Sequence, residues 1–226
     1  MKAVIFDMDG TLVDSGELAI EAARLGVGEY GERHALELLI PSRQRVLSLL
    51  GLPSLEYFAG LLPSERRDDA EELRELVGAW EERMLAEGQG RLFAGVEQAL
   101  AELRRRGWQT ALVSNCGRHY FKANIVHLDL ARWMDFLACA DDGPSKTANV
   151  AEALRMLGTN HGAMVGDRLG DIEAGQANGL KTIGVQQGYG TVAELSGADS
   201  LIDDFTQLIG SLEALCGPAM NSAVGG

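Results

Sequence analysis

The stretch AVIFDMDGTLVDS, residues 3 to 15, decides how this chain is read. Its first four residues, AVIF, are a short apolar run suited to a strand buried on both faces. The run ends abruptly in Asp7, and a second carboxylate, Asp9, follows two residues later with Gly10 and Thr11 behind it. Like charges this close make each other harder to ionise, so the pair calls for a compensating partner. Beyond it the texture turns helical. Asp14 and Glu17 have the spacing of a capping pair, and Leu18, Ala22 and Leu25 follow at helical intervals.

Working outward, residues 16 to 88 offer no strand. They read as several helices broken at GEYGE, GLPS and LLPSE, the last of them long, charged and amphipathic, before a joint at EGQGR, 87 to 91. After the joint, strands and helices alternate. QTALVSN, FLACA, AMVGD, KTIGV and SLID read as strands, with helices between them near 118–130, 147–157 and 171–178. This alternation predicts an α/β fold, a Rossmann-like, mainly parallel sheet covered on both faces. The expected organisation is a core of residues 1–15 and 89–226 with a helical domain, 16–88, inserted after the first strand. The tail GPAMNSAVGG is expected to fray.

Composition narrows the function. The chain has 226 residues, 46% hydrophobic and 23% charged, with a formal net charge of −13. That charge argues against a nucleic-acid partner and against an anionic membrane surface. No apolar run reaches the ~18–20 residues of a membrane span, and no signal peptide is evident. The three cysteines, Cys116, Cys139 and Cys216, are scattered and odd in number, which suits reduced thiols in the cytoplasm. Neither they nor the four histidines have the spacing of a metal site.

Ligands of open parallel sheets bind beyond the carboxyl ends of the strands. That rule brings together Asp7 and Asp9, Ser114 and Asn115, Asp167 and Asp171, and Lys146, placed in a loop before a helix. Carboxylates gathered around one point need a cation, and an all-oxygen donor set suits Mg²⁺. The chemistry indicated is phosphoryl transfer, with Mg²⁺ and Lys146 supplying positive charge. Ser114 and backbone N–H groups near Gly10 and Thr11 would supply hydrogen bonds. Ser114 and Asn115 can cap the next helix and bind phosphate as well.

In these residues the chain resembles the haloacid dehalogenase superfamily of hydrolases. DMDGT at 7–11 is similar to its first motif, VSN at 113–115 to the second, Lys146 to the third and GDRLGD at 166–171 to the fourth. The resemblance implies that Asp7 is a nucleophile forming an aspartyl-phosphate and that Asp9 is general acid and then base. It implies that Asp7 and Asp167 hold Mg²⁺ through their side chains and Asp9 through its backbone carbonyl. Asp171 would orient Lys146 or a metal-bound water. An Asp at position 9 favours phosphate esters, since relatives with other chemistries carry Ala or Tyr there. Residues 16–88 resemble the α-helical cap of the phosphoglycolate phosphatase-like branch, and SRQRVLSLLGLPSLEYF, 42–58, resembles a stretch in those caps. From that cap Arg43 and Arg45 could read the substrate, or simply form a solvated helix face.

The resulting expectation is a cytoplasmic Mg²⁺-dependent phosphatase, monomer or homodimer, acting on a small phosphate monoester such as phosphoglycolate, a nucleotide or a sugar phosphate. Three alternatives remain. One is a phosphomutase of the β-phosphoglucomutase type. Another is a phospho-acceptor signalling domain, which would lack the helical insertion. The third is a non-catalytic binding protein on the same fold.

Overall fold

A computed structural model of the chain describes residues 2–218. Strand β1, Ala3–Phe6, is buried along its whole length. Val4 and Phe6 enter one apolar core with Leu112, Val165 and Phe205, while Ala3 and Ile5 enter another with Ala111, Met164 and Leu154. Both faces of the sheet are therefore covered, which is why AVIF needs no polar alternation. Truncating a buried phenylalanine such as Phe6 to alanine costs about 3–5 kcal/mol.

Four helices follow β1: α1 (Gly16–His34), α2 (Arg43–Leu49), α3 (Ser54–Leu61) and α4 (Ala70–Ala86). They bury a second apolar cluster, built around Tyr30, Val46, Phe58, Leu73 and Val77 and joined by Ala123 of the later helix Arg118–His127. The chain then returns through α5 (Val96–Arg105), β2 (Gln109–Val113), α6 (Arg118–His127), β3 (Phe136–Ala138) and α7 (Lys146–Leu157). It closes with β4 (Gly162–Gly166), α8 (Leu169–Ala177), β5 (Lys181–Val185), the short α9 (Val192–Leu195), β6 (Ser200–Ile202) and α10 (Leu208–Cys216).

The sheet is six-stranded, in the order β3-β2-β1-β4-β5-β6, and each neighbouring pair is parallel. Because β1 lies between β2 and β4, the chain leaves the centre in both directions, and a crevice opens at that switch point. Phe6 stands opposite Leu112 on one side and Val165 on the other. That register brings Asp7, Ser114 and Asp167 out of the sheet at nearly the same level.

The structure departs from the sequence reading in three places: within the helical block, at its entrance and at Lys146. GEYGE does not break a helix; α1 runs through it to His34. The helix continues because Tyr30, within the stretch, is buried in the core of the helical block, and just ahead of it Gly26 lets α1 approach α4, since a Cβ there would collide with Val77. Asp14 does not cap α1. Ser15 holds the cap position, and Asp14 instead accepts from Arg91 Nε at 2.8 Å. Glu17 pairs with Arg43 at 2.5 Å. Lys146 is not in a loop but is the first residue of α7, whose cap, Ser145, accepts from the Ala148 N–H.

The two connections to the helical block run side by side. Val13 and Leu92 form an antiparallel bridge, and the Asp14 N–H donates to the Arg91 carbonyl at 3.0 Å. Residues 219–226 of the tail, for which fraying was expected, lie outside the described residues.

Candidate active site

Each functional side chain leaves the end of a strand or the start of a helix. Asp7 follows β1, and one of its oxygens, Oδ1, accepts from Lys146 Nζ at 2.5 Å. Lys146 also reaches Asp171 Oδ1 at 2.5 Å. It projects from the first turn of α7, and Asp171 lies in the first turn of α8, so two helix starts meet over the end of β1. Asp167 follows β4. Its Oδ1 accepts from the Thr11 hydroxyl at 3.1 Å and its Oδ2 from the Tyr189 N–H at 2.7 Å. The second oxygen of Asp171 accepts from the Arg168 N–H at 2.9 Å.

Burial pushes the Asp7 carboxyl well above the usual carboxylate range; the Lys146 ammonium opposes it, and Asp171 and Asp167 add to the push. Asp167 is raised to about 7 by burial and by Asp171, against the bonds from Tyr189 and Thr11 and the charge of Lys146. Burial alone would lower the Lys146 ammonium, but Asp171 and Asp7 outweigh it and hold it charged. Three acids thus share one ammonium in a buried space. The chain packs so closely around Asp167 that a Cβ on Gly10 or Gly188 would strike its carboxylate. Gly10 also adopts φ +80°, a conformation in which glycine meets no Cβ penalty.

This donor set fits a divalent cation. Asp7, Asp167 and Asp171 each offer an oxygen within 4.8 Å of the others. Among the described residues the buried Asp7 Oδ2 has no hydrogen-bond partner, a costly arrangement for a carboxylate. All the donors are hard oxygens. The residues that would hold such an ion are Asp7 and Asp167, with Asp171 beside them.

Above these acids lies a cavity of about 400 Å³, walled by the strand ends on one side and by α3, α4 and the α2–α3 turn on the other. Asp7, Asp9, Ser114 and Asn115 line it; Arg43 and Arg45 do not. Arg45 is bound to the Gly60 carbonyl, its Nη2 at 2.8 Å, and Arg43 is taken by Glu17 on the surface. The two arginines proposed for substrate reading thus belong to the block's own framework. The N–H groups of Gly10 and Thr11, expected to face a phosphoryl group, close the turn instead, donating to Val13 O at 2.9 Å and Met8 O at 3.3 Å. Ser114 Oγ accepts from the Cys116 N–H at 3.2 Å. Asn115 Nδ2 donates to the Gly51 carbonyl at 3.0 Å and so ties the core to the helical block.

Several residues of the site were not singled out in the sequence. Tyr120, on α6, donates to Asp9 Oδ1 at 2.8 Å. Burial raises the Asp9 carboxyl; this bond and a neighbouring Ser15 hydroxyl offset part of that rise. From the helical block, Glu81 and Tyr57 complete the wall. Burial, reinforced by Asp9, pushes the Glu81 carboxyl up to about 8. The sequence did hold signals for two of these features. Glu81 interrupts the apolar stripe Leu73, Val77, Met84, Leu85 of α4 with an acid, and Gly188 and Gly190 flank Tyr189 just after β5.

An acid-rich crevice at the switch point of a parallel sheet, roofed by an inserted helical block, defines a two-part α/β protein whose ligand site lies between sheet and block. Residues 4–185 match the family model of haloacid dehalogenase-like hydrolases, and the chain belongs to that family. It is 28% identical over 222 residues to a probable phosphatase, IndB, of Dickeya dadantii, covering 94% of each protein. It is 31% identical over 237 residues to a plasmid-encoded phosphoglycolate phosphatase of Cupriavidus necator, covering 94% of this chain and 90% of that protein. Its fold superposes on the crystal structure of CbbY from Rhodobacter sphaeroides in complex with phosphate, with a TM-score of 0.79 at 23% identity over 94% of this chain and 99% of that one. Among the described residues no helix is long and apolar enough to cross a membrane.

Proposed function

We propose that this chain is a Mg²⁺-dependent phosphatase that hydrolyses a small phosphate monoester through a phosphorylated Asp7. One observation carries the reading. Asp7 is buried at the end of the central strand with one oxygen on Lys146 and, among the described residues, the other without a partner, close to Asp167 and Asp171, with which it could share a cation. The names of the relatives support a phosphatase, and the three free cysteines suit a cytoplasmic setting.

When bound, Mg²⁺ would neutralise the acids and draw the phosphoryl oxygens towards Asp7. The Asp7 carboxylate attacks phosphorus as the ester oxygen departs, and Asp9 gives that oxygen its proton. Asp9 then takes a proton from water, the water attacks phosphorus, and inorganic phosphate leaves Asp7. Tyr120 holds the Asp9 side chain in place. Lys146, the Ser114 hydroxyl and Asn115 would face the phosphoryl group, with Thr11 and Asp171 fixing Asp167 and Lys146. The block of residues 16–88 acts as the cap that excludes bulk water and contacts the leaving group.

The test is phosphate release from p-nitrophenyl phosphate and a panel of natural esters with Mg²⁺. Asp7→Asn is expected to lower turnover at least ~10⁴-fold. Asp9→Asn is expected to accumulate phosphate on Asp7, detectable as an 80 Da adduct, roughly the mass of one phosphoryl group transferred by nucleophilic catalysis. Undiminished turnover by Asp7→Asn would remove the covalent route.

A further inference from the structure

The cap side of the cavity carries a feature that general phosphate-ester chemistry does not use. Glu81 projects from α4 into the wall with only 6% of its surface exposed. Among the described residues its carboxyl has neither an ion-pair nor a hydrogen-bond partner. Tyr57, from α3, lines the same wall at 7% exposure, and its hydroxyl is buried without a partner. The surrounding side chains Leu50, Leu52 and Phe58 are apolar. A cap that merely excluded water would be expected to place a hydrocarbon here, because an unanswered buried polar group is costly.

Among the described residues, the carboxyls of this wall that lack an ion-pair partner are Glu75, Glu81 and Glu82, while its arginines are engaged by acids. Of its basic groups, Arg74 is bound to Glu71 and lies 3.8 Å from Asp141, and Arg118 is held by Asp142 at 2.9 Å. His119 is exposed. At the rim Glu75 and Glu82 are exposed and, among the described residues, unpaired. A leaving group that carried a carboxylate would meet Asp9 and Glu81 with no free cation to receive it. A leaving group that carried an ammonium would give the Glu81 carboxyl the partner it lacks, and the Tyr57 hydroxyl could turn its oxygen towards the same group.

We propose that Glu81 and Tyr57 form a subsite for a protonated amine, so that the preferred substrate is the phosphate monoester of a small amino alcohol rather than of a hydroxy acid. This rests on the phosphatase reading, and the experiment separates the two. Three esters of similar size are compared for kcat/KM with Mg²⁺: 2-aminoethyl phosphate, n-propyl phosphate and 2-phosphoglycolate, with p-nitrophenyl phosphate as a general reporter.

The amino ester is expected to exceed both others by tenfold or more. In Glu81→Gln, and separately in Tyr57→Phe, the ratio of amino to propyl ester should fall, tenfold or more for the first variant and less for the second, chiefly through KM. The second variant keeps the test alive if the first fails to fold. Turnover of p-nitrophenyl phosphate with phosphoglycolate used as well as the amino ester overturns the amine subsite and leaves the phosphatase reading standing. So does a ratio unchanged by both variants. Release of phosphate from none of the four esters overturns the phosphatase reading, and the subsite with it.

Discussion

The two walls of the cavity are built on different principles. On the sheet side nearly every charged atom is answered within the protein. Lys146 bridges Asp7 and Asp171, Thr11 and the Tyr189 N–H hold Asp167, and Tyr120 holds Asp9. Among the described residues the one charged atom of this side that is buried without a partner is Asp7 Oδ2. On the helical side, Glu81 and Tyr57 are buried with no such partners among the described residues, in a wall that is otherwise mostly apolar. A network that is satisfied except at one atom is preorganised for one fixed chemical group. A wall with unanswered polar groups is shaped for whatever the ligand brings, and so carries discrimination between ligands.

That contrast can be broken experimentally. The largest effect is expected from Lys146→Met, which leaves three buried carboxyls without their ammonium. Urea denaturation should show a loss of about 3–5 kcal/mol, and added Mg²⁺ should restore part of it by binding the folded state. An unchanged midpoint would mean that the sheet-side network is not held together by charge.

Glu81→Gln tests the other wall. A carboxyl with a pKa of about 8 when folded, against its ordinary 4.5, binds its proton more tightly in the folded protein. Stability contributed by that proton is complete below pH ~4.5 and is lost progressively up to about 8. The stability of the variant relative to the natural protein should therefore grow across that window, by on the order of 4 kcal/mol in total, and then level off. A difference independent of pH would mean that Glu81 meets water or a partner.

Tyr120→Phe sharpens the comparison at the seam between the walls. Loss of its bond to Asp9 should lower the rate of phosphate release by about tenfold with little change in stability. The smallest effect belongs to Arg91→Ala. Its ion pair with Asp14 is largely solvated on the arginine side, and thermal unfolding should register less than about 1 kcal/mol.

The sheet side was legible in the sequence because each of its groups sits at a strand end or helix start, where local pattern fixes position. AVIF announces a strand, and the residue after it must emerge at the crevice. The same logic reached Ser114, Asp167, Asp171 and, with the wrong local structure, Lys146. The helical side was less legible. Arg43 and Arg45 looked apt for an anionic ligand, but which way a helix faces depends on packing that no short motif encodes. Arg45 turned to the Gly60 carbonyl and Arg43 to Glu17. Glu81 was visible only as an acid within the apolar stripe of α4, a signal that gains meaning once the stripe's orientation is known. Tyr120 depended on a contact across more than a hundred residues, from α6 back to the loop after β1. The misread GEYGE shows the same limit, since a glycine inside a helix that packing holds together looks like one that ends a helix.

The paired connections at Val13–Leu92 and Asp14–Arg91 have a consequence for how such a chain can change over generations. The entrance and exit of the helical block are adjacent, so the sheet is closed whatever length of chain is looped between them, and the entropy of closing that loop grows only slowly with its length. Substitution, lengthening or wholesale exchange of the block leaves the strand order and the acids beneath untouched. Selectivity can therefore be rewritten as a detachable module while the reaction centre is inherited intact.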